Sequence, residues 1–266
     1  MKSFMRRKEI HCGAAYLEID VYPYSDRQRN ASRGQRGKKQ RVTAPKQKNL
    51  NDKNARRYLT QLANANFGDE DLHVTATYKQ KFLPATIEEA EREARNFLRR
   101  VEYRRKKEGL PPLKYILVTE YSTGKNSEKP VRIHHHFFMN GGLDRDTVES
   151  LWSRQKQKGQ KHGERIGYIN ADRLQPEENG VEALCRYLTK HPNGKKRWSS
   201  SQNLEKPWFR TNDNEFSRRQ VEKIAKTPPD PALWEKKYPD FILTECRPEF
   251  NDRTGWSLYV KMRRRC

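Results

Sequence analysis

The chain is short of several things at once. Its four cysteines (Cys12, Cys185, Cys246 and Cys266) stand apart with no Cys-x-x-Cys pair. That excludes a disulfide framework and a cysteine-based zinc site, and makes a reducing cytoplasm the expected home. No apolar run approaches the ~20 residues that a spanning helix needs. The start, MKSFMRRKEI, turns charged at once, unlike a secretory signal, so no membrane partner is expected. No internal repeat is visible. Hydrophobic residues make up only 33% of the 266 positions, against 34% charged. Because the apolar residues cluster in periodic segments, this lean composition still implies a compact core, carrying long solvated basic flanks. Acidic residues are scarce as well: 34 Asp plus Glu face 56 Lys plus Arg, a net charge of +22. A surplus of that size attracts polyanions, and nucleic acid is the polyanion that fits.

Residues 10–24 (IHCGAAYLEIDVYPY) read as strand-like, and 25–48 as a polar, basic stretch with seven basic and no acidic residues between Arg33 and Lys48. Such a run forms either a phosphate-tracking arm or a plain linker. Asp52 is placed to cap a helix carrying Ala55, Leu59 and Leu62, with Gly68 as its stop. HVTATY (73–78) is a strand. TIEEAEREARNFLRRVEYRRKKEG (86–109) is the clearest helix, with Thr86 and Glu89 as a capping box and one stripe formed by Ile87, Ala90, Ala94, Phe97, Leu98 and Val101. Strands KYILVTEY (114–121) and VRIHHHFFM (131–139) follow, then a short helix at 143–152 capped by Asp144, a strand IGYINADRL (166–174) and a helix NGVEALCRYLTK (179–190). That order matches the split β-α-β of ferredoxin-like folds, with one further helix. After Pro192 come a basic turn, NGKKRW, and two strand candidates, FILTEC (241–246) and WSLYVKM (256–262), able to pair across NDRTG.

The sharpest chemical signal is His134-His135-His136 within a strand. Side chains alternate across a strand, so His134 and His136 share one face and can bind one divalent ion. Three histidines satisfied by hydrogen bonds on a half-exposed strand are the structural alternative. Glu120, alternating with Ile116 and Val118 on the neighbouring strand, offers a carboxylate as third ligand; the alternative is a surface ion pair. Two imidazoles and a carboxylate leave open positions that suit Mg²⁺ or Mn²⁺ as a Lewis acid. In the last helix Tyr187 lies at the edge of the stripe of Val181, Leu184 and Leu188, with Lys190 three residues on. A phenol ionises only near pH 10, so an ammonium beside it would assist attack on a phosphate. Taken alone, Tyr187 reads as a core-edge residue; following a His-rich strand, it becomes a nucleophile candidate.

In order, HVTATY, VTEY, RIHHHFFMNGG, GLDRDTVESLW and ADRLQPEENGVEALCRYLTK resemble the HUH endonucleases of the single-tyrosine branch. More narrowly they resemble rolling-circle replication initiators of phages and plasmids, akin to the filamentous-phage gene II type. The resemblance covers roughly residues 49–200. It implies an α+β, ferredoxin/RRM-like core with an antiparallel sheet and flanking helices, plus a small antiparallel C-terminal appendage. The expected division is a basic arm with a possible strand (1–48), a nuclease domain (49–200) and a β-rich extension (201–266). By resemblance HVTATY is a core strand without a catalytic side chain, His134 and His136 are metal ligands with Glu120, Tyr187 is the nucleophile and Lys190 its assisting cation. Relatives usually carry a bulky hydrophobic residue where His135 stands, so this position departs from the pattern.

The resemblance further implies nicking of single-stranded or hairpin origin DNA through a 5′-phosphotyrosine, followed by rejoining, with a host helicase and polymerase as partners. Arg132, Lys195, Lys196, Arg197 and Trp198 are the candidate DNA contacts beside the arm. A transposase or relaxase of the same chemistry is the nearest rival. A non-catalytic basic nucleic-acid-binding module is the rival of another class, and histidines where RNA-recognition sheets carry aromatics count against it.

Overall fold

The computed structural model describes residues 3–30, 45–122, 130–156, 158–160, 163–189 and 197–265. The chain begins with β1 (Ser3–Cys12), β2 (Tyr16–Ser25), α1 (Asp26–Asn30) and α2 (Pro45–Asn64). It continues with β3 (Leu72–Ala76), α3 (Ile87–Lys107), β4 (Tyr115–Ser122), β5 (Val131–Met139), α4 (Arg145–Ser150), β6 (Ile169–Arg173), α5 (Glu182–Leu188) and β7 (Ser199–Ser200). It closes with β8 (Trp208–Asn212), α6 (Arg218–Lys226), α7 (Pro231–Glu235), β9 (Phe241–Asn251) and β10 (Gly255–Arg264). The architecture is α+β, with two antiparallel five-stranded sheets ordered β8-β1-β2-β10-β9 and β6-β3-β5-β4-β7. Among the described residues no helix is long and apolar enough to cross a membrane.

Two compact units divide the chain differently from the expected boundaries. A terminal unit joins Met1–Ala65, Glu177–Gly180 and Glu205–Cys266, and a central unit comprises Asn66–Pro176 and Val181–Leu204. The start of the chain is therefore more than a basic arm, and the end is no separate appendage: β1 and β2 share one sheet with β8, β9 and β10. The physical reason lies in charge pairs distant in sequence. Arg6 donates twice to Asp213, at 2.6 and 2.7 Å, and Arg210 donates to Glu9 at 2.5 Å. α2 belongs to this unit and starts before the expected cap, so Asp52 falls inside it. β9 and β10 pair across the NDRTG turn as expected. Of the basic stretch, 31–44 lies outside the described residues.

In the central unit the helix expected at 86–109 forms with the expected start: Thr86 Oγ1 accepts from the Glu89 N–H, and the Glu89 carboxylate accepts from the Ala85 N–H. Its last turn ends before Gly109, whose φ of +70° suits a residue without a Cβ. Ala90, Ala94, Phe97, Leu98 and Val101 are buried against Val74, Ala76, Leu117, Ile133 and Phe137, and Val148 of α4 joins the same core with Trp152. Leaving β7 aside, the strands lie in the spatial order fourth, first, third, second, the ferredoxin-like arrangement. β7 was not foreseen; two serines carry little β-propensity, and their strand exists through pairing with Ile116 and Leu117.

Candidate active site

Helices cover one face of the central sheet, so strand alternation assigns the other face residue by residue. Glu120 pairs with His134, and Val118 with His136. His136 is opposite Thr75, and Phe138 opposite His73. His134, His136 and Glu120 thus lie on adjacent strands of one face, where His134 Nε2 is 3.1 Å and His136 Nε2 3.6 Å from the same oxygen, Glu120 Oε2. One ligand atom from each residue falls within 4.8 Å of the others. A divalent ion fits these donors for a specific reason. His134 Nδ1 lies 2.9 Å from the Arg132 carbonyl, which can only accept, so Nδ1 carries the proton and Nε2 presents a lone pair. His136 Nε2 is buried without a hydrogen-bond partner. Among the described residues Glu120 makes no ion pair with lysine or arginine. Lone pairs and a carboxylate facing one another call for a cation.

Burial, reinforced by the neighbouring His134, His73 and His135, pushes the His136 imidazole down to about 3, so the ring is neutral and ligand-ready at neutral pH. Its Nδ1 has Thr75 Oγ1 and His73 Nε2 each at 3.2 Å, and the His73 ring stacks on it at 5.4 Å. HVTATY therefore brings side chains to the site, a correction to its expected role as plain core. The signal was present in the alternation of His73, Thr75 and Thr77 with buried Leu72, Val74 and Ala76.

His135 points to the opposite face and is fully buried. The Tyr78 hydroxyl donates to the Ala90 carbonyl at 3.3 Å and lies 2.7 Å from His135 Nε2, while Thr119 Oγ1 is 2.9 Å from Nδ1. Both ring nitrogens are committed, and burial pushes this imidazole down to about 3. Its polar neighbours account for a histidine where relatives usually carry a hydrophobic residue.

Tyr187 projects from α5, 60% exposed, with its ring edge-on to His136 at a centroid separation of 6.3 Å. Its hydroxyl has no hydrogen bond among the described residues. The buried positions holding α5 are Val181, Cys185 and Leu188, while Leu184 is only half-buried; the sequence stripe omitted Cys185. A strand-borne histidine pair, a carboxylate and an exposed tyrosine converge on one sheet face. Residues 71–192, which span all of them, match the family model described as Replication-associated protein ORF2/gene II protein.

The chain carries a replication-associated region of this family. The match runs from β3 through α5, the stretch on which the resemblance to phage and plasmid initiators rests. No curated protein and no solved structure matches the chain. Of the remaining candidates in or beside the replication-associated region, Arg132 is exposed on β5 next to His134. Arg197 and Trp198 are half-buried immediately before β7, whose antiparallel register with β4 continues toward Val118. Lys190, Lys195 and Lys196 lie outside the described residues.

Proposed function

We propose that this replication-associated protein is a metal-dependent HUH endonuclease that nicks single-stranded or hairpin DNA at an origin and rejoins it through a 5′-phosphotyrosine. The observation that carries the reading is the edge-on placement of the exposed Tyr187 ring against His136, whose Nε2 is buried without a partner beside Glu120. His134, His136 and Glu120 would hold the ion. When bound there, Mg²⁺ or Mn²⁺ supplies Lewis-acid polarisation of a phosphodiester oxygen.

The chain's own residues divide the remaining work. The Arg132 carbonyl fixes the tautomer of His134, and Thr75 with His73 orients His136. The Tyr187 oxygen attacks phosphorus and forms the new P–O bond as the bond to the 3′ oxygen breaks. The phenolic proton leaves Tyr187, and the departing 3′ oxygen takes up a proton to become a free hydroxyl. Lys190, three residues on in sequence, is the assigned cation for the phenolate and the charge developing on phosphorus. The bond energy is kept in the phosphotyrosine, so attack by a later 3′ hydroxyl rejoins the strand without a nucleotide cofactor. A host polymerase would extend the first hydroxyl, a host helicase would open the duplex, and Arg132, Lys195, Lys196, Arg197 and Trp198 would hold the strand.

The test is a nicking assay with Mn²⁺ on circular single-stranded DNA bearing the element's own origin, comparing wild type with Tyr187→Phe on a denaturing gel. A protein–DNA adduct that requires metal and disappears in Tyr187→Phe is expected. An adduct that survives the substitution would move the nucleophile elsewhere, and binding without cleavage would favour a non-catalytic module.

A further inference from the structure

The histidine face does not end at the metal ligands. Its β6 side is open: Tyr168, Asn170 and Asp172 are exposed, and Tyr168 at 80% is the most exposed of the large hydrophobic side chains. β6 pairs with β3 so that Asn170 is opposite Thr75, and Asp172 opposite His73. Thr75 and His73 flank His136, so the rungs that carry the site run straight onto these exposed residues. The ladder continues past the end of β6: the Thr77 N–H donates to the Tyr168 carbonyl at 2.8 Å, and Thr77 Oγ1 donates to it at 3.0 Å. Tyr168 therefore sits two strands across from the rung of His134 and Glu120, and alternation with Ile169 and buried Ala171 puts it on their face.

The backbone under Tyr168 is firmly held, which separates it from an ordinary loop tyrosine. Ile166 is fully buried, and its carbonyl accepts from the Lys79 N–H at 2.9 Å. At Gly167 the chain bends, with a Cβ there falling 1.9 Å from the Thr77 carbonyl oxygen, so only glycine allows this approach. The bend lets Ile166 enter the core while Tyr168 faces solvent. Nothing in the fold requires an aromatic ring at this exposed position. Nearby, the Asn170 amide donates to Asp172, and Arg145 pairs with Asp172 at 2.8 Å, so the one acidic group of this patch is neutralised.

We infer that Tyr168 is a stacking platform for one unpaired base of the DNA strand that crosses the site, with the Asn170 amide beside it able to read that base's edge. The occupant is single-stranded DNA, because a chain of net charge +22 attracts a polyanion and every base offers a π-face to an exposed ring. The inference rests on the nicking reading only for the statement that a strand passes over this face. Tyr168 is a positioning and specificity residue, distinct from the nucleophile.

The test uses the full chain in a Tyr187→Phe background, so that no strand is cut, and short oligothymidylates as the probe. Tyr168→Ala should weaken binding about tenfold, and Tyr168→Phe should restore it, since stacking needs the ring and not the hydroxyl. Irradiation of an oligothymidylate substituted with 5-iododeoxyuridine should cross-link to the peptide holding Tyr168. Unchanged binding in Tyr168→Ala, failure of Phe to rescue, or cross-links that map only elsewhere would overturn the platform. Adduct formation by wild type is scored separately. An adduct together with unchanged Tyr168→Ala binding defeats the platform alone. No adduct, but lost and Phe-rescued binding, supports the platform and defeats the nicking reading.

Discussion

Each of the two sheets places a carboxylate beside histidine, and the two solve the resulting problem in opposite ways. In the terminal sheet Glu9 is buried with His11 Nε2 at 3.8 Å, but Arg7 at 2.6 Å, Arg210 at 2.5 Å and the Tyr238 hydroxyl at 2.5 Å all converge on it. Burial alone would raise its pKa; the Tyr238 hydroxyl and the two guanidinium groups outweigh that and hold it below the usual carboxylate range. On the same sheet Glu18 and Asp20 are both engaged by Arg57, and Gln61 also donates to Glu18. In the central sheet Glu120 has only His134 and His136 for company, and one of those nitrogens is an orphan. Charges that answer one another inside a sheet are architecture. Charges and lone pairs left converging without an answer mark a place for something from outside.

The contrast breaks most decisively at His136. His136→Ala should abolish Mn²⁺-dependent nicking while leaving the circular dichroism spectrum unchanged; activity at wild-type level would mean that the orphan nitrogen holds nothing. Arg57→Ala should do the reverse. It leaves Glu18 and Asp20 without their cation and should cost about 2–3 kcal/mol in urea denaturation, toward the low end for buried pairs because Arg57 is partly exposed. Its Mn²⁺ affinity should not move. Smaller in effect, Thr75→Ala or His73→Ala should weaken Mn²⁺ binding about 10- to 100-fold through the orientation of His136, without removing a ligand.

The smallest effect separates neighbours on one strand. His135 is held near 3 when folded and titrates near ~6.5 when unfolded, so the unfolded chain binds the extra proton between those values. Its contribution is therefore present above about pH 6.5 and is lost as pH falls toward 3, at about 1.4 kcal/mol per pH unit. His135→Phe should flatten the acid limb of a stability-against-pH curve and keep Mn²⁺ binding. An unchanged slope would show that His135 is not held neutral.

Much of the central unit was legible because its information is local. VRIHHHFFM gives β5 its observed bounds through β-branched and aromatic residues, and the Thr86–Glu89 cap sets the start of α3. The His134–His136 pairing followed from period two alone, and Glu120 from its place among Ile116 and Val118. What stayed hidden depends on partners far along the chain. SFMRRKEIHC does not read as a strand until Asp213 and Arg210 neutralise Arg6 and Glu9. The engagement of His73 with His136 required the order in which β3 and β5 pair, which spacing does not encode. Tyr168 was invisible because its exposure depends on the bend at Gly167 against Thr77.

The most direct test of the central claim is Mn²⁺ binding itself, followed by electron paramagnetic resonance on the full-length chain without DNA. The account predicts one tightly bound ion in wild type, in Tyr187→Phe and in Glu9→Gln, and loss of that ion in Glu120→Gln and in His134→Ala. Binding that persists in Glu120→Gln and His134→Ala, or that disappears in Glu9→Gln while that variant stays folded, would contradict it.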